Sequence, residues 1–239
     1  MPSLVLRYKI PGIMSEIAAR LQELLAQIRA AEHADGRLPH SVQLLAVSKG
    51  QTVTAILEAF SAGQRAFGEN YLQEALLKLK ALAQYPIEWH FIGQVQANKT
   101  RGIAENFAWL HSLTSLTLAQ RLNAQRPKQL PPLNVCLQVN VKGEGHAGIR
   151  LADLLELAQQ ILCLPRLKLR GLMLLPVDHH HPQAEFTSLH QVYEQLQRQG
   201  IPLTELSLGM SNDFMAAIAA GSTWVRIGQG LFGARNRRN

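Results

Sequence analysis

Lys49 closes a strongly apolar run, Leu44-Leu45-Ala46-Val47-Ser48, and is followed by Gly50, a helix-starting Thr52 and an amphipathic stretch through Phe60. In an α/β protein, side chains leave the core and meet a ligand at the carboxyl end of a buried strand. A primary amine placed there can condense with an aldehyde to form a Schiff base, a reaction suited to a partly desolvated lysine of lowered pKa. The competing reading is a solvated loop charge, and Lys49 alone does not decide between the two.

Two glycine-rich turns farther along are suited to an anion. Ser207-Leu208-Gly209-Met210-Ser211-Asn212-Asp213 sets a glycine, a hydroxyl and cap-type residues between a strand and a helix beginning near Phe214. Backbone N–H groups at such a junction, assisted by the Ser211 hydroxyl, can bind phosphate. Equally, Ser211, Asn212 or Asp213 can simply cap the helix. The second turn runs from Gly221 through Trp224-Val225-Arg226-Ile227 to Gly228, Gly230 and Gly233. Alternation puts Val225 and Ile227 on one strand face and Arg226 on the other, so Arg226 requires a partner. A ligand ring nitrogen and a salt-bridged carboxylate both satisfy that requirement.

Phe67 to Glu74 and Trp89 to Lys99 are dense in amide and aromatic residues, among them Asn70 and His90. His90 alternates with apolar neighbours and reads as a ring-packing or hydrogen-bonding group. The run Asp178-His179-His180-His181 has the composition of a metal site, but adjacent side chains on one loop seldom converge, and a solvated loop is expected.

These residues need a frame, and hydrophobic periodicity supplies one. Strands are expected near 44–48, 65–68, 89–92, 109–112, 135–140, 168–174, 205–208 and 224–227, alternating with helices such as 71–82, 151–162, 182–199 and 213–220. The segment 94–106 is the least regular helix, and Pro127, Pro131 and Pro132 mark a loop before the fifth strand. About eight such units match a single (β/α)₈ TIM barrel, with a doubly wound open sheet as the alternative. An additional helix at about 14–33 precedes it, and a short basic tail follows. In a barrel the strand ends deliver Lys49, Asn70, Gly93, Asn140, Met173, Gly209 and Gly228 to one mouth, and the two glycine-rich turns follow strands seven and eight, where barrels often hold phosphate.

Bulk properties narrow the function classes. The 239 residues are 47% hydrophobic, enough for one sizeable domain. The net charge of +7 comes from dispersed Lys and Arg apart from the tail cluster Arg235, Arg237 and Arg238, which argues against a nucleic-acid face. No apolar run reaches membrane-spanning length and no signal-peptide pattern opens the chain, so a cytoplasmic protein without a membrane partner is expected. Cys136 and Cys163 lack metal or redox spacing and are expected to be buried, reduced thiols.

In order along the chain, Ala46-Val47-Ser48-Lys49, Gly68-Glu69-Asn70-Tyr71, Trp89-His90-Phe91-Ile92-Gly93 with Asn98-Lys99, Gly209-Met210-Ser211, and Gly221-Ser222-Thr223 through Arg226-Ile227-Gly228 to Phe232-Gly233 resemble the pyridoxal 5′-phosphate homeostasis proteins, the YggS/PROSC family. The resemblance spans about Ile17 to Arg235. It implies a barrel like the N-terminal domain of alanine racemase (fold type III of the pyridoxal phosphate proteins), with pyridoxal 5′-phosphate as cofactor, joined to Lys49 as an internal aldimine. Asn70, His90, Gly209, Met210, Ser211, Arg226, Ile227 and Gly228 are the other cofactor-binding positions it implies. Ser211 and the backbone of 226–228 hold the phosphate, and Arg226 faces the pyridine nitrogen.

The implied role is holding and delivering the cofactor in vitamin B6 homeostasis, as a monomer, with apoenzymes that use it as possible recipients. An arginine at the ring nitrogen weakens the cofactor as an electron sink. The alternative, a racemase-like enzyme, needs a base opposite Lys49, for which only His90 and Tyr71 offer themselves. The sequence departs from the family pattern at Gly50-Gln51-Thr52, which replaces Thr-Lys-Pro, at Leu208, and at His146, where the family commonly has a second lysine.

Overall fold

The computed structural model describes residues 15–143, 145–178 and 181–233. The basic tail cluster and His179 and His180 of the histidine run lie outside them, as does Met14 at the start of the expected first helix.

Helix α1 (Glu16–Ala34) opens on Ser15, whose hydroxyl accepts the Ala18 N–H at 3.2 Å. Then come β1 (Gln43–Val47), α2 (Val53–Ser61), β2 (Ala66–Glu69), α3 (Leu72–Ala81), β3 (Glu88–Phe91), α4 (Thr100–Asn106), β4 (Trp109–Leu113), α5 (Leu116–Gln125) and β5 (Leu133–Asn140). A two-residue strand β6 (Ile149–Arg150), absent from the expected order, precedes α6 (Leu151–Leu162). The chain continues through β7 (Leu167–Met173), α7 (Gln183–Arg198), β8 (Glu205–Ser207), α8 (Phe214–Ala219), β9 (Trp224–Ile227) and α9 (Gln229–Phe232). Thr52 starts α2 as expected, its hydroxyl accepting the Ala55 N–H at 3.1 Å. The irregular segment after Gln94 resolves into a single 3₁₀ turn, Ala97–Lys99, leading into α4.

All strand pairs are parallel, in the order β4-β3-β2-β1-β9-β8-β7-β5, and β4 pairs with β5 to close the ring. Eight strands thus form a (β/α)₈ barrel, with β6 added only at the carboxyl end of β5. A closed parallel sheet is buried on both faces, which is why these strands are almost continuously apolar. Trp89, Phe91, Val225 and Ile227 pack outward against the helices, whereas Leu45, Val47, Trp109, Cys136, Met173 and Trp224 fill the interior. Among the described residues, no helix is long and apolar enough to cross a membrane.

Cys136 is buried, and burial pushes its thiol up. Cys163 differs from expectation: it lies exposed, because α6 ends at Leu162 and leaves it at the cap position. The Asp178 carboxylate accepts the His181 N–H at 3.0 Å, and no metal-ligating cluster occurs among the described residues.

Candidate functional site

A cavity of about 720 Å³ opens at the carboxyl ends of the strands, within the range typical of small-molecule sites. Lys49, Asn70, Met210, Ser211, Arg226 and Gly228 line it, with Val47, Ile92, Met173 and Leu175 as an apolar wall. The strand-end amine and both glycine-rich turns therefore converge.

Lys49 is half-buried and follows β1 directly. The backbone on either side of it is held by an ion cluster that sequence reading missed. Lys78, from α3, is buried; its Nζ donates to Ser48 O at 2.7 Å, Glu69 Oε1 at 2.7 Å and Glu74 Oε1 at 2.6 Å. Glu74 Oε1 also accepts the Gly50 N–H at 2.6 Å, and Ser48 Oγ lies 2.6 Å from Glu69 Oε1. Burial raises the Glu69 carboxyl above its ordinary range, opposed by the hydrogen bonds from Lys78 and Ser48. The i, i+4 spacing of Glu74 and Lys78 was the available signal, but it equally fits an exposed helix pair.

Asn70 follows β2 directly and carries a buried Oδ1 with no hydrogen-bond partner among the described residues. Unpaired buried acceptors are costly, so this one suits a donor on a ligand. Its position depends on Gly93, because a Cβ there would lie 2.0 Å from Asn70 O.

Ser211 is not a helix cap. The N-cap position of α8 is Asp213, whose carboxylate instead accepts the Met210 N–H. Ser211 Oγ reaches across to the other turn and accepts the Gly230 N–H at 3.3 Å, joining the two phosphate-suited segments. Gly209 adopts φ 85°, where its close approach to Ala217 excludes a side chain. Ile227 packs in the helix-facing core and is not among the residues lining the cavity.

Arg226 is buried and donates from Nη1 to Ser207 O at 2.6 Å and Ser207 Oγ at 2.9 Å, and from Nη2 to Leu174 O at 2.8 Å. No carboxylate among the described residues forms an ion pair with it. Burial lowers its pKa to about 10, with Asp213 opposing the shift from nearby. A guanidinium has five N–H donors; these contacts use three and leave Nε and one Nη2 hydrogen for a ligand acceptor.

His90 is the ring-packing, hydrogen-bonded group its alternation suggests, and it is set apart from the cofactor-binding place the resemblance implies. It does not line the cavity but is fully buried in the barrel interior, stacked on Trp109 at 5.4 Å and bonded to Glu88 and His111. Its side chain points inward from β3, two residues before Ile92, which lines the cavity. Asn140 also stands aside: its amide binds the carbonyls of Gly143 and His146 and fastens the loop after β5.

Residues 20–236 match the model of the alanine racemase N-terminal domain family. The chain is 52% identical over 224 residues to the pyridoxal phosphate homeostasis protein of Pseudomonas aeruginosa, covering 93% of this chain and 97% of that one. It belongs to the pyridoxal phosphate homeostasis protein family. The homeostasis protein of Escherichia coli K12 is 47% identical over 234 residues, covering 93% and 98% of the two chains. Among solved structures of the family, PipY of Synechococcus elongatus PCC7942, described with PLP bound, superposes with a TM-score of 0.81 at 42% identity, covering 91% of this chain and all of that one. Alanine racemase from Corynebacterium glutamicum shares the fold at a TM-score of 0.67 and 15% identity, and the match spans 62% of the racemase chain.

Proposed function

We propose that this chain binds pyridoxal 5′-phosphate in the strand-end cavity, holds it covalently through Lys49, and serves its holding and delivery rather than sustained turnover. The observation that carries the proposal is the convergence of Lys49, the Ser211–Gly230 junction and Arg226 on one cavity. The residues present fit the group. Ser211 and the glycine backbone of 228–230 bind a phosphate, Asn70 Oδ1 accepts from a polar substituent, and the apolar wall excludes water. When bound, the cofactor supplies an aldehyde that condenses reversibly with amines.

Arg226 presents N–H donors and a positive charge, so an acceptor nitrogen facing it stays unprotonated. Neither candidate base for a racemase lines the cavity: His90 is enclosed in the interior, and Tyr71 is 61% exposed outside it. Two free cysteines fit a reducing cytoplasm. Recipients would be apoenzymes that need the cofactor, with the chain acting as a monomer.

The test is absorbance of the purified, cofactor-loaded protein before and after borohydride, followed by peptide mapping. One modified peptide containing Lys49 is expected, and its loss in Lys49→Ala; an adduct that survives in that variant refutes the assignment. Incubation with L- and D-amino acids in deuterated water addresses the enzyme reading, which rapid α-proton exchange would favour.

A further inference from the structure

Glu88 begins β3 at the mouth opposite Lys49, where it lines a separate cavity with Arg29, His40 and Arg65, its side chain 46% exposed. From there an unbroken chain of side-chain hydrogen bonds crosses the barrel. Glu88 Oε1 lies 2.8 Å from His90 Nε2, His90 Nδ1 lies 2.9 Å from His111 Nε2, His111 Nδ1 lies 2.8 Å from Ser207 Oγ, and Ser207 Oγ lies 2.9 Å from Arg226 Nη1. His90, His111, Ser207 and Arg226 are all buried.

The carboxylate end, with both rings neutral, determines every proton along the chain. An ionised Glu88 only accepts, so His90 donates from Nε2 and, being neutral, accepts at Nδ1. His111 must then donate from Nε2 and accept at Nδ1, which requires the Ser207 hydroxyl to donate. At the other end, Arg226 only donates, so Ser207 Oγ accepts there and keeps its own hydrogen for His111, as the first deduction requires. The two ends are compatible, with all four bonds aligned from Arg226 toward Glu88. Burial lowers the pKa of both histidines, consistent with neutral rings.

We propose that Glu88, His90, His111 and Ser207 are positioning residues, forming an aligned relay through which a carboxylate at the far mouth orients Arg226 and supports its charge at the cofactor site. Aligned hydrogen bonds in a low-dielectric interior polarise one another, so the negative end of each dipole faces the guanidinium. The arrangement gives Arg226 electrostatic support without a carboxylate ion-paired beside it, keeping two donors available to the cavity. Other titratable groups facing the relay are Glu205, paired with Arg170 and facing His90, and Asp213 and Cys136, which face Arg226. The indoles of Trp109 and Trp224 wall the histidines, at 5.4 and 4.9 Å from the His90 ring.

The cofactor-side role rests on the proposed function, whereas the relay itself can be read without cofactor. Nitrogen NMR of histidine-labelled, cofactor-free protein is expected to show His90 and His111 neutral and protonated on Nε2. Glu88→Gln keeps an acceptor oxygen and should preserve both tautomers. Glu88→Ala should shift the ring nitrogens of His111, two hydrogen bonds away, and weaken retention of pyridoxal phosphate several-fold, with a smaller loss in Glu88→Gln. Ser207→Ala gives an independent cut that leaves the Glu88–His90 bond in place, should Glu88→Ala fail to fold, and should likewise shift His111.

A proton on Nδ1 of either histidine in the unaltered protein overturns the relay, as does an unmoved His111 in folded variants that cut it. Shifted nitrogens with unchanged retention overturn its link to the cofactor site. An unaltered protein that retains no pyridoxal phosphate overturns the proposed function and that link together, while the tautomers still report whether the relay exists.

Discussion

The Lys78 ammonium lies 2.7 Å from the carbonyl oxygen of Ser48 and so holds the backbone one residue before Lys49. Through Glu74 the same cluster holds Gly50, one residue after it. The cavity's amine is therefore mounted on backbone fixed from α3.

Lys78→Met should leave Glu69 buried without its charge partner. Removing one member of a buried pair typically costs about 3–5 kcal/mol. Urea denaturation should show a loss of that order, with part recovered in Lys78→Met/Glu69→Gln. An unchanged midpoint in the single variant would mean that the cluster contributes little.

Gly93→Ala forces a methyl onto backbone that has no rotamer with which to yield, 2.0 Å from Asn70 O. Overpacking of this kind costs roughly 1–3 kcal/mol. Because Asn70 lines the cavity, pyridoxal phosphate affinity should fall as well, measurable by fluorescence titration alongside thermal denaturation.

Ser211→Ala removes the oxygen that links the two turns. Hydrogen bonds to charged groups contribute roughly 1.5–3 kcal/mol, so affinity for pyridoxal phosphate should fall by about tenfold or more. Pyridoxal, which lacks the phosphate, should bind the variant and the unaltered protein alike. Equal losses for both ligands would place Ser211 elsewhere in the site.

Acid should weaken the fold in two windows. Burial holds His90 and His111 below their ordinary 6.5, so the unfolded chain takes up protons first as pH falls through that value. Their contribution is present above about pH 6.5 and lost below it. The hydrogen bond from His90 holds Glu88 below its ordinary 4.5, against the opposing effect of burial. This second contribution is present above that value and is lost as pH falls through the folded-state pKa. Thermal melts across this range should show both declines, and Glu88→Gln should remove the lower one.

The sequence by itself determined the order of the eight barrel strands and their helices, because short, almost continuously apolar runs alternate with amphipathic stretches at lengths suited to parallel strand-helix units. It also singled out Lys49 and Ser211, which stand where a strand ends or a turn begins, and Arg226, a charge on the strand face opposite Val225 and Ile227, because local chemistry there is legible one residue at a time. Tertiary structure decided the rest. His90 reads from alternation as an inward or outward residue, but in a closed barrel both faces are buried, so alternation does not reveal which layer it occupies. Strand tilt and register bring His90, His111, Ser207 and Arg226 together from β3, β4, β8 and β9, separated by up to 96 residues along the chain in a single contact. Likewise Lys78 reads as one end of a helix-surface pair until α3 packs against the ends of β1 and β2. Only the closed ring makes these polar residues neighbours and removes the water that would otherwise solvate them, and that enclosure is what gives their hydrogen bonds consequence.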